Sequence, residues 1–360
     1  MVGRNLKKNR SIDRGLLFLT LGLTVVGVVV VADVSSPQAL EVFSDSFYFA
    51  KQQLMWAVAG IVLLLISSKV NYNIWRKLSL PLFAMSMVLL VLVLIPGFGA
   101  KTLGAQRWLI LGPIRFQPSE LAKLTLAIFF ADNLTKNRPF YFYLGILAGV
   151  FGLIMLQPDL GTSLVLLSIG MSQLFISGIS LTWLTGTIFL GGLVGTGLVL
   201  LSPYRKERLM TFLTSSSDPL DSSYHIRQIL IAIGSGGLFG VGLGQSRQKH
   251  LFIPETATDS VFAVLAEEIG FIGSSLIIIL LFVYIFKTVK VAKNAEDGFA
   301  KLLAGGISVW MGVQIILNLS SMLALTPLTG IPLPFFSYGG SSLVMILLST
   351  GILLNISKHG

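Results

Sequence analysis

The sequence contains no cysteine. A disulfide framework, a thiolate nucleophile and a cysteine-ligated metal are therefore excluded. Its three histidines, His225, His250 and His359, are too few and too scattered for a histidine-rich metal centre. Charged residues make up only 12% of 360, against about 25% in a soluble domain. That shortage rules out an ordinary soluble enzyme, a disordered chain and a fibrous protein. The phosphate-loop spacing GxxxxGK(S/T) is missing, so the glycines at 234–244 give no nucleotide site. No basic run is interleaved with aromatics, which argues against nucleic acid as a partner.

Apolar residues make up 54% of the chain, and the mean hydropathy is +0.83. A membrane-spanning helix takes about 20 mostly apolar residues, so the apolar content matches about ten spans. Apolar stretches fall near 15–32, 48–68, 78–95, 118–134, 140–156, 160–177, 181–201, 260–286, 303–325 and 340–356. The expected fold is an all-α polytopic membrane protein of about ten transmembrane helices. One domain covers 1–360, with a cytoplasmic tail at 1–14 and a large extracytoplasmic loop at 204–258, between the seventh and eighth spans. The first apolar stretch has the length of a full span, and its exit at Ala32-Asp33-Val34-Ser35-Ser36 lacks a small-x-small cleavage site.

The net charge of +10 is read mainly as basic anchoring at the cytoplasmic membrane surface. With the N-terminus inside and sides alternating, 15 of the 26 basic residues face the cytoplasm. Nine lie outside, in two loops. Lys101, Arg107 and Arg115 occupy one, and Arg205, Lys206, Arg208, Arg227, Arg247 and Lys249 the other. In the larger loop Ile226, Ile229, Leu230 and Ile233 recur at helical spacing, which predicts an amphipathic helix. Asp221, Ser222 and Ser223 are N-cap candidates, and Gly234-Ser235-Gly236-Gly237 stops it.

Ionisable residues within or at the mouth of spans are costly and mark function by default. Asp259 opens the eighth span, where it can cap the helix or do chemistry. Glu267 and Glu268 lie deeper, rotated from Asp259 by about 80° and about 180°. They cannot pair with it on one catalytic face, and a buried ion pair or hydrogen-bonded network suits them better. Glu120 and Lys123 sit at i, i+3, where they neutralise each other or form a charged wall of a substrate cavity. Arg107, Trp108 and Arg115 are either an exposed loop or an anion site at the membrane interface. Asp159 reads as an N-cap, and Gln314 and Asn318 as interhelical hydrogen-bond partners. Basic outer loops beside an acid at the membrane surface would suit a lipid-linked anionic substrate.

Four strings then carry a resemblance. They are Gln117-Pro118-Ser119-Glu120-Leu121-Ala122-Lys123, Gln157-Pro158-Asp159-Leu160-Gly161-Thr162, Thr258-Asp259-Ser260-Val261-Phe262-Ala263, and the long run from Pro327 to Ser342. Together they resemble the SEDS family (FtsW/RodA/SpoVE), over about residues 12–357. Ala324 stands where that family more often has glycine.

The resemblance implies a ten-helix peptidoglycan glycosyltransferase of the bacterial inner membrane. It would polymerise lipid II into a nascent glycan strand beside a class B penicillin-binding protein and other division proteins. Gly242–Lys249 looks closer to the division branch. The resemblance makes Asp259 the catalytic acid, and the large outer loop part of the active site. Arg107, Trp108, Glu120, Lys123, Arg247 and Lys249 are the substrate-binding candidates. No metal ligand set is expected beyond a divalent cation, Mg or Mn, at Asp259. The competing readings are a lipid II flippase and a non-catalytic division scaffold.

Overall fold

The computed structural model describes residues 12–102, 105–112, 114–136, 138–201, 210, 224–249 and 257–359. Residues 1–11 of the expected N-terminal tail at 1–14, the N-cap candidates at 221–223, the basic residues Arg205, Lys206 and Arg208, and Pro254-Glu255-Thr256 lie outside them.

The helices fall where the apolar stretches predict them. They are α1 (Arg14–Val34), α3 (Tyr48–Lys69), α5 (Ser79–Leu94), α6 (Pro118–Leu134), α7 (Phe140–Leu156), α8 (Leu160–Ile176), α9 (Leu181–Leu201), α11 (Val261–Asn294), α12 (Gly298–Met322) and α13 (Gly340–His359). The protein is thus a polytopic helical membrane protein. By length and composition alone, five described helices can cross a bilayer: α1, α3, α11, α12 and α13. α5, α7, α8 and α9 contain shorter apolar runs. Short helices α2 (Ser36–Phe43) and α4 (Asn73–Lys77) lie between spans.

The interior is built from α6, α12 and α13, which are buried over most of their length. α6 is buried all round although it carries Glu120, Lys123 and Asp132. Charges at membrane depth face the bundle interior, where protein groups replace water. α3 and α13 come close through small residues. Gly351 lies against the Leu64 carbonyl and the Ser67 hydroxyl. Without a hydrophobic drive between helices in lipid, such close approach supplies the packing.

Contacts between chain ends orient the bundle. The Asp13 N–H donates to Ser357 Oγ at 3.2 Å, and Lys287 Nζ is 3.3 Å from Asp13 Oδ1. The described ends of the chain therefore share one end of the bundle. The loops carrying Trp108, Asp159, Lys249 and Asp259 gather at the other.

Two features depart from the sequence reading. The loop expected at 96–117 folds into a three-stranded antiparallel sheet, β1 (Gly99–Thr102), β2 (Ala105–Leu111) and β3 (Ile114–Phe116), in the order β1-β2-β3. Leu109 pairs with Phe116 and Ile110 with Arg115. The small sheet is an addition to a chain that is otherwise helical, as expected. The second departure is a break in α11 at Gly270, with φ 67° and ψ −170°. That backbone conformation is open to glycine alone at low cost. The segment after the amphipathic helix α10 (Tyr224–Ser235) fills the break. Phe271 and Ile272 donate their N–H groups to the carbonyls of Gly237 and Leu238, at 2.9 and 3.1 Å. The carbonyls of Glu267 and Glu268 accept from Val241 and Gly242, both at 3.0 Å. Irregular backbone at membrane depth survives when protein satisfies it in this way.

α12 ends in a Schellman motif: Leu325 N–H bonds the Ser320 carbonyl at 2.9 Å and Ala324 N–H the Ser321 carbonyl at 3.2 Å. Ala324 occupies the position that favours glycine and is left-handed at φ 53°. An L-residue there costs about 1–2 kcal/mol, partly offset by the larger unfolded-state entropy of glycine. Ala324→Gly is expected to stabilise the protein by about 0.5–1 kcal/mol, read as a higher melting temperature in detergent.

Candidate active site

Asp259 sits half-buried on the turn that leads into α11. It is not the N-cap: that position belongs to Ser260, because helical geometry begins at Val261. The turn is held through its main chain. Asn318 Nδ2 donates to the Asp259 carbonyl at 3.0 Å, and Tyr338 N–H donates to the Ala257 carbonyl at 2.8 Å. The turn is thus anchored by main-chain hydrogen bonds that do not involve the Asp259 carboxylate.

The segment 327–339 forms the wall opposite. It is rich in proline and glycine and has no helix, so other elements must satisfy its carbonyls. Asn318 also donates to the Ile331 carbonyl at 2.8 Å, and Gln314 to the Pro332 carbonyl at 3.0 Å. Gln53 takes the Gly339 N–H and gives to the Ser337 carbonyl, both at 3.3 Å. Gly330 is left-handed at φ +70°, and a Cβ on it would lie 3.4 Å from Asp259 Oδ2. The wall thus passes close to the acid. Gln314 and Asn318 are interhelical partners as expected, and they also position this wall.

The other strings meet here as well. Asp159 is the N-cap of α8, accepting from Thr162 N–H at 3.0 Å. A Cβ on neighbouring Gly161 would lie 2.8 Å from the Thr329 carbonyl oxygen. Gln117 N–H reaches Ser341 Oγ at 3.2 Å. Sites far apart in sequence, near 117, 157, 259 and 330–341, therefore gather at one end of the bundle.

The basic candidates separate by geometry. Arg107 donates to the carbonyls of Gln157 (3.0 Å) and Pro158 (2.5 Å), and lies 3.8 Å from Asp159 Oδ2. Its guanidinium ties the sheet to the α7–α8 turn. Trp108 is half-buried on β2. Lys123 is fully buried, 2.7 Å from Glu120 Oε1 and 3.0 Å from Gln314 Oε1, over the Trp310 ring. The pair is internal and continues through Gln314 to Pro332, so it supports the wall from behind.

Lys249 Nζ bridges Asp33 Oδ1 and Glu268 Oε1, at 2.8 Å each. Burial alone would lower its pKa. The hydrogen bonds to the two carboxylates outweigh that and hold it above the ordinary lysine value. Glu267 accepts from Ser246 Oγ at 2.5 Å and from Arg247 N–H at 3.2 Å. The acid pair on α11 is thus the buried network its spacing suggested. Of the substrate-binding candidates, Arg247 keeps an exposed side chain.

Sequence reasoning did not place His225 at the site. Its Nε2 lies 3.0 Å from Ser260 Oγ, beside Asp259. The pattern of α10 gave the helix but not the direction of this ring. α10 otherwise follows the reading: Ile226 and Ile229 are buried, whereas Leu230 is exposed. As for a cation, no three His, Cys, Asp or Glu side chains gather into a metal-binding group among the described residues.

A family profile described as "Cell cycle protein" (FtsW/RodA/SpoVE) matches residues 14–360. Stage V sporulation protein E of Bacillus subtilis is 41% identical, covering 98% of each chain. A probable peptidoglycan glycosyltransferase FtsW of Trichlorobacter lovleyi is 38% identical over 96% of this chain and 93% of its own. A structure described as a peptidoglycan synthase complex coordinating polymerization and crosslinking contains a chain with TM-score 0.80 and 30% identity, covering 96% and 97%. The rod shape determining protein RodA of Thermus thermophilus gives TM-score 0.70 and 29% identity, covering 97% of both chains. A match across nearly the whole length, in sequence and in fold, leaves one assignment: the chain belongs to the FtsW/RodA/SpoVE family.

Proposed function

We propose that this protein is a peptidoglycan glycosyltransferase that polymerises lipid II into glycan strands at the division septum. The observation that carries the reading is Asp259: a half-buried acid on a turn fixed through its main chain, facing a wall built from 327–339. The names of the relatives supply the reaction class. The acceptor's 4-hydroxyl attacks C1 of the donor sugar, and the bond from C1 to the diphosphate breaks. Asp259 takes the hydroxyl proton as general base, and undecaprenyl diphosphate leaves with the bonding pair. A single displacement inverts C1.

Charge growing on the diphosphate calls for preorganised cations, and the exposed Arg247 is the candidate whose side chain is available for it. The excess of basic residues on the side of the chain ends supports a cytoplasmic position for both termini, with the site on the outer face of the inner membrane. The partner is a class B penicillin-binding protein, in keeping with the coordinated crosslinking named for the structural relative.

The test is purified protein with its crosslinking partner, supplied with lipid II while transpeptidation is blocked. Glycan polymer is the expected product. Lipid II translocated across liposomes without polymer would favour a flippase. The buried Glu120–Lys123 pair, neutralised and closed to solvent, argues against an open polar path of that kind.

A further inference from the structure

α10 is fastened to α11 at both ends. At its C-terminal end, the Gly237–Gly242 segment exchanges main-chain hydrogen bonds with α11 at Glu267–Ile272. At its N-terminal end, His225 Nε2 meets Ser260 Oγ at 3.0 Å. Between the two, Ile226, Ile229 and Ala232 are buried. α10 is therefore a splint along the first turns of α11, and the turn it reaches carries Asp259.

Ser260 is at the N-cap of α11 and fully buried, yet it makes no capping bond from its side chain. An N-cap serine ordinarily accepts from a backbone N–H two or three residues on. Here its hydroxyl is engaged by the imidazole of His225. The peptide joining Asp259 to Ser260 is then held from two sides, by Asn318 at its carbonyl and by His225 at the next side chain. The orientation of that peptide sets the direction in which the Asp259 carboxylate leaves the turn.

We infer that His225 is a positioning residue for the glycosyl transfer: through the Ser260 hydroxyl it fixes the Asp259–Ser260 peptide and so aims the Asp259 carboxylate. The inference rests on the reading of Asp259 as general base. A neutral imidazole can accept the Ser260 proton, whereas a protonated ring has donors only and reverses the bond. The serine proton must then find another acceptor, and the turn loosens.

Among the described residues, the charged and titratable groups on the elements packed against His225 are few. α10 packs on α11 and α12. The α11 side offers Asp259, with Glu267 and Glu268 deeper and engaged by 246–249. α12 presents Asn318 here, and its basic residue Lys301 lies near its opposite terminus. On α10 itself, Tyr224 and Arg227 are exposed. Glutamine does not titrate in place of imidazole, so a pH limb owed to this ring is absent from a His225→Gln variant.

The experiment measures polymerisation of lipid II by the full chain with its crosslinking partner, between pH 5.5 and 8. His225→Ala is expected to lower kcat by about 10- to 100-fold with KM within about twofold, because a misaimed group costs rate rather than binding. His225→Gln carries an amide that reaches the Nε2 position but does not titrate, and should recover most of the lost rate. Its profile should also lack the part of the wild-type acid-side fall that protonation of this imidazole causes. The inference is overturned if His225→Ala stays within about twofold of wild type, if His225→Gln does not recover, or if its acid-side fall matches that of wild type. Asp259→Ala is the control. If that variant still polymerises, the general-base reading fails, and this inference with it. If it is inactive while the His225 variants behave as wild type, only the positioning role fails.

Discussion

Asp259→Asn and Asp259→Ala are expected to lower polymerisation by about 10²- to 10⁴-fold, the usual contribution of a general base. That corresponds to about 2.7–5.4 kcal/mol of transition-state stabilisation. Lipid II binding should change little, since the proton is taken only as the new bond forms. Both variants should fold, because Asn318 and Tyr338 hold this turn by the carbonyls of Asp259 and Ala257. Melting temperature in detergent and retention of the crosslinking partner are therefore the controls. A scaffold function predicts that Asp259→Ala keeps both partner binding and division activity. A flippase predicts unchanged translocation. Unchanged polymer at wild-type rates would defeat the proposed mechanism outright.

Most of the helical frame was legible because a membrane allows few backbone solutions. A run of about 20 apolar residues in lipid must be helical to satisfy its own amides. The two departures show where that rule stops. The strands of the sheet are four, seven and three residues long. A pattern so short, read against flanking apolar helices, does not stand out. The break at Gly270 is invisible for the opposite reason. Glu267-Glu268-Ile269-Gly270-Phe271 reads as continuous helix, and what permits the break is a separate segment, Gly237–Gly242, that takes over the hydrogen bonds. The cause of the break lies nearly thirty residues upstream of it.

The site was legible to a similar depth. Asp259 stands out because an acid at a span mouth is costly, and the acids on α11 were separable by rotation alone. The basic residues were not separable. Arg107, Lys123, Arg247 and Lys249 look alike as sequence, but their roles depend on partners remote in the chain. Arg107 closes on Gln157 and Pro158 and Lys249 on Asp33, whereas Arg247 commits only its backbone, to Glu267. The opposite wall was equally hidden. Its defining contacts, Asn318 to Ile331 and Gln53 to Gly339, join helices far apart in sequence to an irregular segment.

Lys249 gives the second large effect. Its ammonium compensates two carboxylates, and Lys249 and Glu268 are both nearly inaccessible to solvent. Removing one partner of a buried ionic cluster costs about 3–5 kcal/mol, because the remaining charge is left uncompensated. Lys249→Met should therefore lower the melting temperature sharply and slow polymerisation, as the 241–249 loop comes off α11.

The pH dependence follows from the direction of its pKa. The folded value lies above the ordinary 10.5. Its stabilisation is thus complete below pH 10.5 and is lost only as pH rises through the raised value. Wild type should lose stability in that alkaline window, and Lys249→Met should lack the transition.

A neutralised cluster separates structure from substrate binding. Replacing a buried ionic group as a whole is often close to neutral in stability. The triple variant Lys249→Met, Asp33→Asn, Glu268→Gln is therefore expected to regain most of the melting temperature. If the ammonium only fastens the loop, polymerisation returns with it. Should stability return while polymerisation stays lost, the ammonium acts on the substrate diphosphate, and the purely structural role assigned to it here is wrong.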